Sequence, residues 1–490
     1  MPNAALAIAA KEFRENVHSR RFQIALALAT LLLVTSVITL GITYHEDQAA
    51  FEAAQADLER GQSFGGFNVV AAEVNDVVKR PNALSVFTGG PGDTFRRTAE
   101  VAPSAGVVVT GPGGSSGGSP QASGGSSSPT NQRFQPLDLG FVAAVVMTFM
   151  AVLFAYDAIV GERERGTLKL MMTNPVPRDQ ILLGKYLGGM ASVLAAFLVS
   201  VAVALAVFQF TQVRLSPGEW SRLAVVLLLF VPLCSAFYLL GLFVSSVARR
   251  SGTSLLVLLL VWLVLVFGAG NAAAAAAKSA DATTDADVLR AFEQIEEERR
   301  SRAAPLENEF MHLRPVFGPN ATASPDTARF QELQQELRAI AQDAQAARDA
   351  VLAQAQRELD GQLSLAENLA AWSPAEAFRN LASKVARSDY WSFKEDREAA
   401  ELYLREVERA RAAWNEEHGG GGMTFVVVGP GGRVEGPADD FEPPEFHHRQ
   451  ASLGEQLQSA GALRDLLVLA LYNAFAFLGA YLAFVRADVR

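Results

Sequence analysis

Six long apolar runs alternate with highly charged stretches in this 490-residue chain, and they restrict its fold more than any other feature. They lie at approximately 22–42, 137–160, 183–210, 222–247, 252–270 and 463–485. A helix needs roughly 20 apolar residues to cross the hydrocarbon core of a bilayer. Half of the residues are hydrophobic and 19% are charged, a mixture that a soluble domain would distribute along amphipathic helices and strands. The sequence therefore predicts an integral membrane protein.

We expect an all-α polytopic membrane protein with six transmembrane helices and a largely helical, coiled-coil extracytoplasmic domain that carries a minor β element. The first run is predicted to be retained as a span, because Tyr44-His45-Glu46 follows it instead of a small-residue cleavage site. The predicted segments are an interfacial amphipathic helix at 1–21, transmembrane helix 1 at 22–42, a first extracytoplasmic insertion at 43–136, transmembrane helices 2–5 at 137–270, a second insertion at 271–462, and transmembrane helix 6 with a cytoplasmic tail at 463–490.

The positions of lysine and arginine predict the orientation of the spans. Thirteen of these residues fall in 1–21, in 161–185, at Arg249-Arg250 and at the C-terminus. With six spans, all of these segments lie on the same side of the membrane. Because Lys and Arg are enriched in cytoplasmic loops, both termini are predicted to be cytoplasmic. The two insertions carry a combined net charge of −16, which favours solubility. The net charge of the whole chain, −10, argues against a nucleic-acid partner.

The two insertions differ in composition. The first contains a Gly/Ser-rich stretch at 111–130, which is typical of a flexible linker. Similar Val-rich segments occur in the two insertions, at 107–110 and 423–428, and pairing between them is one hypothesis. In the second insertion, Ser373-Pro374 predicts a helix start. Upstream of it, apolar residues alternate at spacings of three and four, which predicts the seam of a coiled coil or helical hairpin: Phe330, Leu333, Leu337, Ile340, Ala344, Ala347 and Val351.

Catalytic and metal-binding patterns do not emerge from the sequence. It contains no GxxxxGK[ST] phosphate-binding loop, no HExxH and no paired cysteines, the only cysteine being Cys234. We therefore expect no catalytic residue, no metal site and no directly bound cofactor. His447-His448 is interpreted as an exposed loop pair rather than a metal site. Asp157 lies near the end of the second run, and two interpretations stay open: a functional intramembrane acid or a carboxylate solvated at the interface.

The most informative segment is the predicted cytoplasmic coupling loop at 161–183, with the sequence GERERGTLKL followed by NPVPR. Helical spacing brings its apolar residues to one face, with the charged residues in the preceding turn. Apolar anchors surrounded by charges are typical of a short helix that docks on a soluble partner. The candidate coupling residues are Glu162, Arg163, Glu164, Arg165, Gly166, Thr167, Leu168, Met171, Met172, Asn174, Pro175 and Arg178.

This loop resembles that of type-2 ATP-binding-cassette exporter permeases, in which E-x-E-x-G-T-L precedes a region seated on the ATPase subunit. The amphipathic segment 3–21 and the six spans are also similar to that family. The large insertions resemble a subgroup that includes the nitrous-oxide-reductase maturation and gliding-motility permeases. The resemblance implies a separate ABC ATPase subunit that binds ATP and Mg, a second permease subunit in a homo- or heterodimer, contact with membrane lipid, and a possible extracytoplasmic partner protein.

Two functional hypotheses follow, with a third that is weaker. In the first, the chain is the permease subunit of an ATP-driven exporter and is not itself an enzyme. In the second, it is a mechanotransmitter, in which ATP hydrolysis inside the cell remodels the outer helical domain and no substrate crosses the membrane. The third hypothesis, an intramembrane enzyme, lacks a catalytic constellation. A lateral cavity between the spans favours export, whereas a closed membrane region with a mobile stalk favours mechanotransmission.

Overall fold

A computed structural model divides the chain into two compact units. The membrane unit contains Met1–Ala269 and Ala371–Arg490, and the hairpin unit contains Gly270–Ala370. The structure describes residues 3–60, 67–102, 106–109, 138–167, 177–278, 285–313, 327–417, 427–428, 434–435 and 441–486.

Six of the described helical segments are long and apolar enough to cross a membrane, which confirms the predicted all-α polytopic class. They are Arg20–Ala56, Leu139–Glu164, Arg178–Thr211, Pro217–Val247, Ser251–Ala277 and Ala460–Arg486. The helices and 3₁₀ or π segments that build the spans are α2 (Arg20–Arg60), α5 (Leu139–Phe141), a π segment (Val142–Met147), α6 (Thr148–Ala155), α7 (Val160–Glu164), α8 (Arg178–Phe208), a 3₁₀ turn (Gln209–Thr211), α9 (Pro217–Val247), α10 (Ser251–Leu263), a second π segment (Val264–Gly268), α11 (Ala269–Lys278) and α17 (Ala460–Arg486).

Side-chain caps fix where several of these helices begin. The Asp138 carboxylate accepts a hydrogen bond from the Phe141 amide at 2.7 Å and starts the second span. Ser216 starts α9 through a capping box with Glu219, and Pro217 occupies the first turn. Such caps satisfy amide groups that have no partner within the helix.

The N-terminal helix α1 (Asn3–Val17) packs along α8 through two glycines. A Cβ atom added at Gly184 would lie 2.8 Å from the Ala5 carbonyl oxygen, and one added at Gly188 would lie 2.5 Å from that of Ala9. Only glycine permits so close an approach of the two backbones. The helix predicted to lie at the interface is therefore packed against a span by part of its surface.

Helix α9 contacts most of the other spans in the membrane unit. Phe230 of α9 stacks on Phe197 of α8, with ring centroids 3.5 Å apart. The Asn473 side chain of α17 donates a 2.9 Å hydrogen bond to the Pro232 carbonyl. The Trp262 indole donates to the Thr148 hydroxyl at 2.9 Å and so joins the fifth span to the second.

The membrane unit also contains helices that precede or follow the spans. They are α3 (Phe67–Lys79), a 3₁₀ turn (Ala83–Val86), α4 (Pro91–Thr98), α14 (Pro374–Ala386), α15 (Tyr390–Glu417) and α16 (Leu453–Leu457). As predicted, Ser373 caps α14, accepting from the Ala375 amide at 3.2 Å. A small core joins α3 from the first insertion to α15 from the second, with the buried residues Val70, Val74, Val78, Phe393, Ala400, Tyr403, Val407 and Phe441.

Helix α14 packs against two spans, α9 and α17. Its buried face contains Phe378, Leu381 and Val385. At its C-terminal end the Lys384 ammonium lies 3.2 Å from the Asp465 carboxylate, and the Asp465 side chain is fully buried. Because two charges removed from water must be paired, this ion pair fixes the C-terminal end of α14 on α17.

The second insertion is thus divided between the two units. Its residues up to 370 belong to the hairpin unit, and its described residues from 371 onward belong to the membrane unit. The four described strands are β1 (Ala99–Ala102), β2 (Gly106–Val109), β3 (Val427–Val428) and β4 (Val434–Glu435). Here β1 pairs antiparallel with β2, and β3 with β4. The hypothesis that the Val-rich segments of the two insertions pair with each other is wrong for the described strands, because short local loops are easier to close than long ones.

In the hairpin unit, α12 (Asp285–Leu313) packs against α13 (Thr327–Ala370). Their ion pairs show an antiparallel arrangement: Arg329 with Glu309 at 2.9 Å, Arg302 with Asp343 at 3.2 Å, and Arg348 with Glu296 at 2.7 Å. Of the predicted seam, Leu333 and Ile340 are buried, and Leu337, Ala344, Ala347 and Val351 are half-buried between exposed neighbours. The Phe330 side chain lies outside the described residues. The heptad-like pattern therefore marks the contact face of a helical hairpin within the chain.

We predict that Leu337→Asp combined with Ile340→Asp unfolds the hairpin unit. Two carboxylates on the contact face would have no partners, and such burial costs several kcal/mol. Limited proteolysis should then cut within 285–370 while the membrane unit persists. The matched control, Gln335→Asp with Gln342→Asp, changes exposed positions of α13 and should leave the digestion pattern unchanged. Equal protease resistance of the two double variants would contradict the assignment of this face.

The first turn of α4 contains a buried carboxyl group, that of Asp93. Burial raises the pKa of Asp93 to about 7, although the Gly90 amide donates to the carboxylate. The folded state therefore holds this proton more tightly than the unfolded state, whose pKa is near 4. The group does not oppose folding below about pH 4, its destabilising effect grows between about pH 4 and pH 7, and the effect is constant above that.

We accordingly expect Asp93→Asn to raise the thermal stability of the membrane unit at pH 8 and to change it little at pH 4. The difference at pH 8 should be on the order of 2–4 kcal/mol. Melting curves of the purified protein at both pH values measure it. Glu442→Gln, at an exposed position, is the control. If Asp93→Asn were equally stabilising at both pH values, or neutral at both, Asp93 would not be the source of the pH dependence.

Candidate functional site

One end of each described span lies on a single face, which we call the terminal face. It contains the N-terminal ends of α2, α8 and α10 and the C-terminal ends of the second span, α9 and α17. The Arg21 guanidinium lies 3.0 Å from the Asp157 carboxylate, and Arg178 donates a 2.6 Å hydrogen bond to the Val485 carbonyl. These contacts connect the first span to the second and the third to the sixth.

A buried lysine joins the predicted coupling loop to α1 and α8. The Lys185 ammonium of α8 lies 2.7 Å from the Glu12 carboxylate of α1 and 2.8 Å from the Glu162 carboxylate of α7. Its side chain is 1% exposed. Because a buried ammonium needs compensating carboxylates, this Lys185–Glu12–Glu162 triad fixes α7 on the terminal face. One oxygen of Glu162 is buried without a hydrogen-bond partner.

Two further residues of α7 bind the ends of neighbouring helices. Arg163 donates to the Ala248 carbonyl at 2.9 Å and the Ser246 carbonyl at 3.0 Å, at the C-terminal end of α9. The Glu164 carboxylate accepts from the Ser251 amide at 2.9 Å and hydroxyl at 2.7 Å, at the start of α10. A cation at a helix C-terminus and an anion at an N-terminus are both favourable, because they oppose the partial charges of the helix ends.

The exposed tip of the loop follows directly. Arg165, Gly166 and Thr167 are all exposed. Gly166 adopts a positive φ of 72°, a conformation that side chains other than glycine rarely take. Arg165 and Thr167 bond to α7 itself, through the Gly161 carbonyl at 3.0 Å and the Glu162 carbonyl at 3.3 Å. These three residues form the exposed tip that follows α7.

The predicted coupling residues therefore fall into three groups. Glu162, Arg163 and Arg178 bond within the chain, and Glu164 does so while remaining exposed. The exposed tip forms the second group. The third group, Leu168, Met171, Met172, Asn174 and Pro175, lies outside the described residues. Asp157 is paired with Arg21 and partly exposed at the end of the span.

Some residues of this site were not predicted from the sequence. Lys185 and Glu12 are 173 positions apart in the chain. The sequence pattern identified Lys185 only as one of the basic residues that predict the orientation of the spans. Ser245 is fully buried, and its hydroxyl accepts from the amides of Ile159 and Val160, both at 3.1 Å. These amides begin α7, so a serine on α9 caps α7.

Six apolar helices, with a short charged helix bonded to α1, α8, α9 and α10 on one face, define a polytopic membrane protein. The profile of the ABC-2 family transporter proteins matches residues 6–489, and the chain belongs to that family. It is therefore the membrane component of an ABC transporter.

Two similar proteins are each described as a probable ABC transporter permease protein NosY. The one from Pseudomonas aeruginosa is 35% identical over 140 residues, which cover 28% of this chain and 42% of that protein. The one from Stutzerimonas stutzeri is 56% identical over 50 residues, which cover 10% of this chain and 18% of that protein. The chain thus matches less than half the length of either relative.

Proposed function

We propose that this chain is the permease subunit of an ATP-driven exporter and that a separate ABC ATPase docks on the tip of α7. The proposal rests on the number of helices to which α7 is bonded. Through Lys185 it is bonded to α8 and α1, through Arg163 to α9, and through Glu164 to α10. A force on the tip would therefore reach four helices at once.

Family membership supports the partner. An ABC-2 membrane subunit implies an ATPase chain, and ATP and Mg would bind there. A second permease subunit, identical or different, would complete the assembly. The spans α2, α10 and α17 bury only 28%, 17% and 17% of their apolar windows within this chain, and we propose that lipid and the second subunit cover the remainder.

We propose that the terminal face is cytoplasmic, with both termini inside, in the inner membrane of a bacterium. The enrichment of Lys and Arg in the segments of this face supports this orientation, and a cytoplasmic ATPase requires it. The helices α3, α4, α14 and α15 would then lie outside the cytoplasm. The direction of transport, export rather than import, is inferred from the resemblance of the coupling loop to that of exporter permeases.

The mechanotransmitter remains a second candidate, and helix α14 is the observation that favours it. It packs on both α9 and α17 and is held to α17 by the Lys384–Asp465 ion pair. At its C-terminal end Arg387 binds Asp396 of α15 at 2.6 Å. Movement of either span would therefore displace helices that belong to the insertions. ATP hydrolysis coupled to such a displacement requires no transported substrate.

The tip variant Arg165→Glu with Thr167→Glu tests the proposed docking. It changes only exposed side chains and places two new negative charges where we expect the ATPase. A mismatched interface charge is often worth roughly 1–3 kcal/mol, which corresponds to about a tenfold or larger loss of affinity. We expect the tagged variant to insert normally and to copurify at least about tenfold less ATPase.

The control is Arg214→Glu, an exposed arginine between the third and fourth spans, at the opposite end from the terminal face. It should copurify ATPase as well as the wild type does. If the tip variant and the control retain equal amounts of ATPase, the tip is a solvated connector and the docking proposal fails. Substrate-stimulated ATPase activity then separates the two functions, since an exporter shows it and keeps it in the Leu337→Asp, Ile340→Asp variant, whereas a mechanotransmitter moves no substrate that could stimulate it.

A further inference from the structure

A cavity of about 810 Å³ lies in the membrane unit, at the opposite end of the spans from the terminal face. Its walls come from α3, the start of α9, the C-terminal end of α14 and the segment at 446–450. The volume is within the range of small-molecule sites, roughly 300–1,000 Å³. Arg222 in the second turn of α9 places one wall at the end of a span, so the cavity is level with the surface of the proposed membrane.

One wall of the cavity is basic. Arg96 and Arg387 both bind the carboxylate of Asp396, which is fully buried, and His448 Nε2 donates to the same carboxylate at 2.9 Å. The third guanidinium, that of Arg222, bonds only to neutral acceptors in the described structure, among them the carbonyls of Val385 at 2.9 Å and Ala451 at 3.0 Å. Guanidinium groups arranged in this way suit a phosphate group, which accepts several hydrogen bonds at once.

The basic wall contains a hydrogen-bond donor without an acceptor. The Arg96 side chain is 9% exposed, and its Nε atom is buried without a hydrogen-bond partner. An unsatisfied buried donor costs about 1–3 kcal/mol, and folded proteins rarely keep one without a reason. An anionic oxygen in the cavity beside Arg96 would offset this cost.

The wall of the cavity at α3 contains two acids, Glu73 and Asp76, next to the base Arg80. Glu73 accepts from the Tyr403 hydroxyl, and Asp76 lies 2.9 Å from the exposed Arg80 guanidinium. Both carboxylates are acceptors and would repel a second negative charge. A ligand with several negative charges is therefore disfavoured, whereas one that combines a phosphate with an amine or hydroxyl can satisfy both walls.

We infer that this cavity binds a phosphodiester that carries a hydrogen-bond donor, of the glycerophosphoethanolamine type. The phosphate contacts Arg96 and Arg222, and the ammonium faces Glu73 and Asp76. The group can belong to a membrane lipid or to a free solute, because the cavity opens at the level of the membrane surface. The inference does not depend on the ATPase or on the direction of transport.

Cysteine protection tests the inference in the full chain. The native Cys234 is buried, so a cysteine at Gln450, an exposed residue of the cavity wall, reports occupancy through its rate of reaction with maleimide. We expect free glycerophosphoethanolamine, or nanodiscs of phosphatidylethanolamine, to slow labelling at least about fivefold relative to glycerophosphocholine or phosphatidylcholine. Protection by the free compound alone indicates a solute site, and protection by the lipid indicates a lipid site. A cysteine at the exposed Gln335 of the hairpin unit is the control and should not respond.

Two variants connect the protection to the two walls. Arg96→Lys keeps the charge beside Asp396 but removes the guanidinium fork, and it should abolish protection. Asp76→Asn alters a half-exposed residue of the other wall and should reduce the preference for ethanolamine over choline. Because this residue is half-exposed, the variant can still be measured if Arg96→Lys does not fold. Absence of protection by either ethanolamine compound, or equal protection by the choline compounds, would overturn the inference.

Discussion

Lys185→Met is expected to release α1 from the membrane unit and to cost about 3–5 kcal/mol of stability, because removing one partner of a buried ion pair leaves the others uncompensated. In the wild type the ammonium separates the carboxylates of Glu12 and Glu162. Without it, two acids would face each other in a site where Lys185 is 1% exposed. The apparent melting temperature should fall by several degrees, and trypsin should cut within 3–17, measured on the purified protein.

Lys11→Met is the matched control, because it removes the same side chain from an exposed pair. Lys11 and Glu15 of α1 are 55% and 61% exposed and 3.7 Å apart, and such surface pairs contribute only about 0–1 kcal/mol. Adding Glu162→Gln to Lys185→Met should recover part of the lost stability by removing one of the two facing charges. A Lys185→Met protein that melts with the wild type, or no recovery in the double variant, would contradict the triad.

The second large effect is expected for Asp396→Ala in α15. The fully buried carboxylate is bound by Arg96, by Arg387 at 2.6 Å and by His448 at 2.9 Å. Burial acts to raise the pKa of Asp396, but the His448 hydrogen bond and the two guanidinium charges outweigh it and hold the pKa below its usual value. Alanine would leave two buried guanidiniums unneutralised, which should cost about 3–5 kcal/mol.

Limited proteolysis is the measurement for Asp396→Ala. We expect cleavage in α4, α15 and the 441–450 segment, with the hairpin unit remaining resistant. Glu398→Gln, on the same helix, removes a partner of Lys394 from a pair in which Glu398 is 56% exposed, and it should leave digestion unchanged. If Asp396→Ala resists protease as Glu398→Gln does, these three elements do not depend on the Asp396 carboxylate.

The six spans could be predicted because each depends on one local property, an unbroken apolar run of sufficient length. The apolar run does not set the end of the helix: the first run ends near residue 42, but α2 continues to Arg60, because helical hydrogen bonds do not require apolar side chains. The seam of α13 was predicted from spacing alone, since its partner α12 presents a complementary face nearby in sequence.

Contacts between distant segments could not be predicted. The division of the second insertion depends on α15 packing against α3, more than 300 positions earlier in the chain, and a helical pattern does not specify which other helix covers it. The partner of Glu162 could not be predicted for the same reason. The motif identified a charged residue before a docking loop, but whether that charge faces a partner or Lys185 is decided by tertiary packing.

In-cell photocrosslinking tests the central claim most directly, because it asks what lies against the tip of α7 in the living membrane. A benzoylphenylalanine residue replaces Thr167 in one variant and Arg214, an exposed position between the third and fourth spans, in the other. We predict that irradiation crosslinks the Thr167 variant to an ABC ATPase and that the Arg214 variant gives no such product. An ATPase adduct from position 214, or none from a stably inserted chain with the probe at position 167, would contradict it.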